Sequence, residues 1–168
     1  MLGDESGLFW ETPIRVTAKR SMAEIFNVNG IKVESFWKAP TEYPELEGRI
    51  ALDLETEDPE IDFGSAWPFP GRGDVVGFAV ATADREWYFP FSHKHGQNLD
   101  REMTIRWMRD QLKKPTVEPI FANANYDMGW LKRLDITPAG RCHDVQIQAT
   151  LLDENRLTYG LDALGKEF

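Results

Sequence analysis

The sequence holds one cysteine, Cys142, so no disulfide can close within it and no cysteine zinc cluster can form. It has no apolar run near the roughly 20 residues needed to span a bilayer. Its first residues, MLGDESGLFW, have neither a basic start nor an apolar h-region, so no secretory signal is read there. The expectation is a cytoplasmic protein with no membrane partner. Positive charge is also scarce: 19 Lys and Arg stand against 28 Asp and Glu, a net charge of −9. That balance argues against a broad, charge-driven grip on duplex nucleic acid. It leaves open a site that holds a strand end through bound metal ions. No internal repeat or low-complexity tract is present.

What is there points to a packed domain. The chain is 42% apolar and 12% aromatic, with six Trp, which argues against disorder over most of its 168 residues. Residues 1–47 read as an N-terminal extension and linker. Within them TAKRSMAEIF suggests a short helix, and KAPTEYPELEG has the Pro, Gly and acid content of a connector. Residues 48–168 read as the domain. RIALDLE alternates like a strand, with Leu52 and Leu54 on one face and Asp53 and Glu55 on the other. EDPEIDFGSAWPFPGRG is a long loop. DVVGFAVATADREWYFPF predicts a hairpin, Val75–Ala81 and Glu86–Phe91, turning at TADR. NLDREMTIRWMRDQL predicts a helix capped at Asn98 or Asp100, with Leu99, Met103, Trp107, Met108 and Leu112 at helical spacing and Pro115 marking its end. EPIFANA predicts a short buried strand and YDMGWLKRL a helix. A further helix begins after a cap at Asp144, and the last follows a cap at Thr158. Strand, hairpin, helix, strand, helix, helix is the order of an α/β domain with a mixed sheet flanked by helices.

The acids carry the chemistry. A strand's side-chain period of two puts Asp53 and Glu55 on one face, where they repel unless a cation lies between them. Hard carboxylate oxygens suit Mg²⁺ or Mn²⁺. The pair alone is also what a solvated strand face looks like in a chain with 28 acids. The second segment, FANANYDMGWL, places Asn123 and Asp127 at a strand-to-helix junction, where either could simply cap the helix.

Together the two segments resemble the Exo I and Exo II motifs of the 3′–5′ exonuclease domain of DNA polymerase I-like (family A) polymerases, within the DEDD exonuclease superfamily. ALDLET is similar to Exo I, D-x-E followed by Thr, and NANYDMGWL to Exo II, N-x-x-x-D. VVGFAVATADREWYFPFSH is similar to the family's hairpin with its Y-x-P-x-x-H ending, and DVQIQATLLDENRLTYGLDAL to the stretch before and through its Leu-Asp-x-Leu helix. Bacteriophage members are the nearest in character, which would make the host cytoplasm the location. The resemblance covers roughly residues 37–168 and implies an RNase H-like fold. It implies two ions, Mg²⁺ or Mn²⁺, bound with the help of Asp53, Glu55 and Asp127, and a single-stranded DNA 3′ end as substrate. Thr56, Asn123 and Tyr126 are the implied substrate contacts, with Asn123 also able to orient the Asp127 turn. The family further needs a fourth Asp, in a Y-x-x-x-D motif some dozens of residues beyond the Leu-Asp-x-Leu helix. Tyr159 and Asp162 have the spacing Y-x-x-D and align with the earlier helix. The expectation is therefore a C-terminally truncated exonuclease domain, weak or inactive by itself, whose polymerase domain lies in a longer or separate chain. The rival expectations are a non-catalytic RNase H-like module that binds nucleic acid or protein, and an RNA-trimming exonuclease related to RNase D.

Other signals are set aside on physical grounds. Cys142 and His143 are adjacent on a strand end and point apart, so they do not form a dyad. The HKH run at 93–95 lacks further ligands. GRGDVVG lacks the G-x-G-x-x-G spacing and precedes a strand, so it is no dinucleotide loop. Met103, Trp107 and Met108 read as core. Trp67, Phe69 and Phe91 read as packing, although aromatic side chains near a cleft can stack on bases.

Overall fold

The computed structural model describes residues 24–28, 31–35 and 38–167. By its internal contacts the chain divides into two units, Met1–Lys38 and Ala39–Phe168. In the first, β1 (Glu24–Val28) and β2 (Ile31–Ser35) form an antiparallel pair. The helix expected over residues 17–26 is therefore strand at its described end, and residues 17–23 lie outside the described residues. The β-branched and aromatic content of EIFNV and IKVES suits strands.

The second unit is built on a five-stranded sheet in the order β5-β4-β3-β6-β7. β3 (Gly48–Glu57) lies at its centre. β4 (Asp74–Ala81) runs antiparallel to β3 on one side, and β5 (Glu86–Pro90) antiparallel to β4. On the other side β6 (Val117–Phe121) runs parallel to β3, and the two-residue β7 (His143–Asp144) parallel to β6. This mixed topology, with helices following β5, β6 and β7, is the RNase H-like α/β architecture.

Sequence period explains the central strand. Ile50, Leu52 and Leu54 are buried while Ala51, Asp53 and Glu55 alternate with them on the exposed face. The buried face packs against α1 (Arg101–Leu112) and α2 (Ala124–Arg133). There Ile50, Leu52, Phe78 and Phe89 meet Trp107, Met108, Leu112, Trp130 and Leu131 in one continuous core. Fully burying an aliphatic or aromatic side chain of this size stabilises the fold by about 1.5–3 kcal/mol, so α1 and α2 are held chiefly by this face. Asp100, one of the two expected caps, does cap α1: its carboxylate accepts from the Met103 N–H at 2.7 Å. Trp107 and Met108 are core as expected, but Met103 is 53% exposed, because the buried face of α1 runs through Thr104, Ile105, Met108, Gln111 and Leu112 and Met103 lies off it. Phe91 is buried, and Phe69 stands largely in solvent.

Two later helices complete the chain: α3 (Val145–Leu152) and α4 (Leu161–Glu167). Asp144 caps α3, accepting from the N–H groups of Gln146 and Ile147. Thr158 does not cap α4. The Gly160 carbonyl accepts from Ala163 and Leu164, so the helix starts two residues later, and the Thr158 hydroxyl accepts from the Gly160 N–H instead. No helix among the described residues is long and apolar enough to cross a membrane.

Candidate active site

Sheet topology gathers the acids. The β3–β6 ladder ends at Ala51–Ile120, so past Leu52 β3 is paired only on its β4 side, while the chain leaving β6 turns into α2 beside it. Carboxyl ends of neighbouring parallel strands, where the chain departs to opposite sides, are where open α/β sheets place their sites. Asp53 and Glu55 project from the part of β3 that extends beyond β6, and Asp127 sits in the first turn of α2. The register of β3 against β4 also shifts between Glu55 and Thr56, leaving Val76 as an extra residue in β4. Such a bulge re-aims the side chains around it.

Asp127 is only 3% exposed and accepts a hydrogen bond from the Leu54 N–H, which ties it to the strand between Asp53 and Glu55. Burial and then the neighbouring Asp53 charge push its carboxyl up to about 7. Asp53 is itself pushed up, by burial and then by the Glu55 charge. The three acids thus form a chain of mutual repulsion, Glu55 on Asp53 and Asp53 on Asp127. No group of three or more His, Cys, Asp or Glu among the described residues is already closed around a single point. The donor set nevertheless fits a hard divalent cation: all its ligands are carboxylates, and a positive charge is the partner that would relieve both raised groups.

The other expected contacts fall into two classes. Thr56 and Tyr126 come together, their hydroxyls 2.6 Å apart, and the Tyr126 hydroxyl also donates to Asp58 at 3.1 Å. Asn123 stands apart with an exposed side chain that makes no capping bond. Only its main-chain carbonyl serves the turn, accepting from the Tyr126 and Asp127 N–H groups. Tyr159 donates to the Asp153 carbonyl, and Asp162 lies exposed on α4.

Asp58 was not legible as a site residue. In the sequence it is one more acid in a Pro- and Gly-rich loop, yet it knots that loop. Its carboxylate accepts from the Glu60 and Ala66 N–H groups, the Ser65 hydroxyl and the Tyr126 hydroxyl. Burial pushes its carboxyl up, but these bonds outweigh burial and hold it below the usual range. Above the knot Trp67 lies flat against Gly129 of α2, where any Cβ would fall 2.4 Å from the indole. Replacing Asp58 with Ala should cost about 2–3 kcal/mol, since a hydrogen bond to a charged acceptor is worth roughly 1.5–3 kcal/mol. A urea melt of the variant measures that loss, and an unchanged midpoint would show that the knot does not hold the loop.

Asp144 is a second missed contact. Beyond capping α3 it accepts from the Ala124 N–H at 2.8 Å, fixing the start of α2 and so the position of Asp127. His143 pairs with Glu118 at 3.0 Å, and Cys142 is exposed, so the two form no dyad. A cavity of about 540 Å³ lies away from the acids, between α1 and α2, and includes Arg101, Arg106, Arg109 and Arg133 in its wall. Arg101 binds Asp74 through both oxygens, while Arg109 and Arg133 donate to main-chain carbonyls, so those three have structural duties.

No family model matches the sequence. Over 146 residues, 81% of this chain and 22% of the relative, it is 31% identical to a DNA-directed DNA polymerase of Pseudomonas phage M6. Over 131 residues, 75% of this chain and 18% of the relative, it is 25% identical to the DNA polymerase DpoZ of Salmonella phage PMBT28. The chain therefore spans about a fifth of these relatives' length. Among solved structures it is similar in fold to a nuclease in its apo form, with a TM-score of 0.53 and 18% identity over 71% of this chain and 51% of that one. It is also similar to Brucella melitensis NrnC with bound Mg²⁺, with a TM-score of 0.50 and 12% identity over 74% and 54%.

Proposed function

We propose, for a chain that belongs with the phage DNA polymerase homologues and carries a domain of the DEDD 3′–5′ exonuclease type, that it shortens single-stranded DNA from the 3′ end in a proofreading role. The observation that carries the reading is the burial of Asp127 against Asp53. A fold does not keep a carboxyl with a pKa of about 7 beside a second acid for its own stability. Asp53, Glu55 and Asp127 would hold two divalent ions, Mg²⁺ or Mn²⁺. Such ions supply Lewis-acid polarisation of the scissile phosphate and a water nucleophile at neutral pH. The chain's own contribution is placement. β3 and α2 fix the carboxylates, and the Leu54 N–H holds Asp127 in line with them. Thr56 and Tyr126, locked to each other and to Asp58, form a polar wall beside the acids for the terminal nucleotide. The exposed Asn123 amide at the start of α2 is free to meet the strand end.

An unpaired end is the expected substrate because its last phosphate is free to approach the acids. A single-stranded oligonucleotide labelled at its 5′ end should therefore give a ladder of shortening labelled products in Mg²⁺ or Mn²⁺, with a closed circle left intact. Early release of the label as a mononucleotide, or cutting of the circle, overturns the reading. Faster loss of an RNA strand than of DNA would turn it toward RNA trimming.

Turnover by these 168 residues should be slow. Asp144 is felt electrostatically at Asp127, but its oxygens are taken by the Ala124, Gln146 and Ile147 N–H groups. A further carboxylate and a water-positioning tyrosine, supplied in a longer chain that also carries the polymerase domain or by a separate one, should raise the rate by about 10²–10⁴-fold.

A further inference from the structure

The cavity between α1 and α2 has a chemistry that the acid site does not use. Its volume of about 540 Å³ falls within the roughly 300–1,000 Å³ of small-ligand sites. Four of the chain's 19 basic residues meet in its wall, although the chain as a whole carries −9. Arg101, Arg106 and Arg109 come from α1, and Arg133 from the end of α2. Val75, Ile105 and Trp130, all buried, give the wall an apolar part. Low-dielectric walls of this kind focus the field of the charges set in them.

The charges do not cancel within the wall. Arg101 is neutralised by Asp74, which accepts through both oxygens at 2.8 and 2.9 Å. Arg109 and Arg133 are held differently. Arg109 donates from Nε to the Asp135 carbonyl at 2.9 Å and from Nη2 to the Leu134 carbonyl at 2.6 Å. Arg133 donates from Nη1 and Nη2 to the carbonyls of Arg72 and Gly73, and its guanidinium lies over the Trp130 ring at 4.8 Å. Those acceptors are neutral, so they fix both guanidinium planes and leave both charges in place. Arg109 keeps its Nη1 donors unused and Arg133 its Nε donor. Arg106 is exposed and forms no hydrogen bond or ion pair among the described residues. Glu102 and Asp135 are the other acids of the wall. Both are exposed and in no ion pair among the described residues, so water screens them while Arg109 and Arg133 stay fixed.

We propose that this cavity binds a phosphate ester, carried by a nucleotide or by a nucleic-acid strand, through Arg106, Arg109 and Arg133. Planar guanidiniums match phosphate oxygens in paired hydrogen bonds. Three of them exceed what a single carboxylate can neutralise, whereas a phosphate ester offers several anionic oxygens and successive phosphates of a strand add more. A strand held there gives an acidic chain a grip on nucleic acid that its net charge denies it. The cavity lies away from the acids and needs no cation, so the proposal does not rest on the exonuclease reading.

The test is calorimetry on the full chain in a chelator, where the acids hold no cation and no strand is cut. The probes are thymidine monophosphate and a short oligothymidylate, and melting curves confirm that each variant is folded. Arg106→Gln should weaken binding by about 10-fold. It should also flatten the fall of log affinity with log salt for the oligonucleotide by about 0.7, the share of one lost phosphate contact. Lys132→Gln makes the same change of charge on an exposed residue of α2 outside the wall and should leave both readings near the parent's. Glu102→Gln combined with Asp135→Asn should tighten binding, a gain that a damaged fold does not produce. Binding of the oligonucleotide alone assigns the cavity to a strand, and binding of the mononucleotide as well assigns it to a free nucleotide. No binding of either probe, or equal losses from Arg106→Gln and Lys132→Gln, overturns the proposal. Should Arg106→Gln fail to fold, the double acid variant decides, and an unchanged affinity overturns it. If 3′-end degradation fails while binding through Arg106 persists, the exonuclease reading falls and this one stands.

Discussion

Replacing Asp53 with Ala should lower the rate of 3′-end degradation by roughly 10³-fold or more while leaving the fold intact. A bound ion supplies several kcal/mol of transition-state stabilisation, and each 1.36 kcal/mol is a factor of about ten in rate. Asp53 is the acid whose charge acts on Asp127 and which Glu55 acts on in turn, so in the proposed site its loss would remove the central carboxylate. The fold should tolerate the change because Asp53 projects from the open face of β3, opposite the core made by Ile50, Leu52 and Leu54. Removing its repulsion with Glu55 and Asp127 should even raise the melting temperature slightly in a chelator. A gel assay beside a thermal melt tests both halves. A variant that retains a tenth of the activity would separate the acids from the chemistry.

Asp127→Asn should make the protein more stable at pH 8 and leave it nearly unchanged at pH 4. The sign follows from the raised carboxyl. In the unfolded chain Asp127 ionises near 3.8, but in the fold only near 7. Below about pH 4 both states are protonated and the parent keeps its full stability. Between about 4 and 7 the unfolded state releases the proton first, so stability is lost as pH rises, and above about 7 the deficit is constant. A shift of about three units corresponds to about 4 kcal/mol at most. Asparagine cannot ionise yet keeps an oxygen for the Leu54 N–H, so it escapes the deficit. Melts from pH 4 to pH 8 in a chelator should diverge progressively, and Mg²⁺ should narrow the gap by favouring the ionised parent. Parallel curves would mean that Asp127 is not strained. The same variant should lose exonuclease activity.

The alternation of RIALDLE placed the central strand, its buried face and the two exposed acids without help from any other segment. Asp127 was legible too, because a strand-to-helix junction fixes where a first-turn residue lies. What escaped were contacts set by long-range register. Nothing local marks Asp58 as the centre of four hydrogen bonds, since the Tyr126 hydroxyl arrives from 68 positions away. Gly77 reads as an ordinary strand glycine until β5 lays Tyr88 across it. Thr158 looked like a cap because a hydroxyl before an apolar run is the usual signal, but Gly160 took the place with its main-chain carbonyl. Residues 17–26 looked helical from composition alone, whereas pairing with β2 makes their described end a strand.

The ends of the five-stranded sheet carry a consequence for assembly. One border is β7, only two residues long, and the other is β5, five residues closed by Pro90, which has no N–H to offer. A foreign strand docking on either side would find little ladder to extend, and this is how natural sheets avoid zipping together at high concentration. Crowded copies of this domain should therefore resist fibril growth by strand addition.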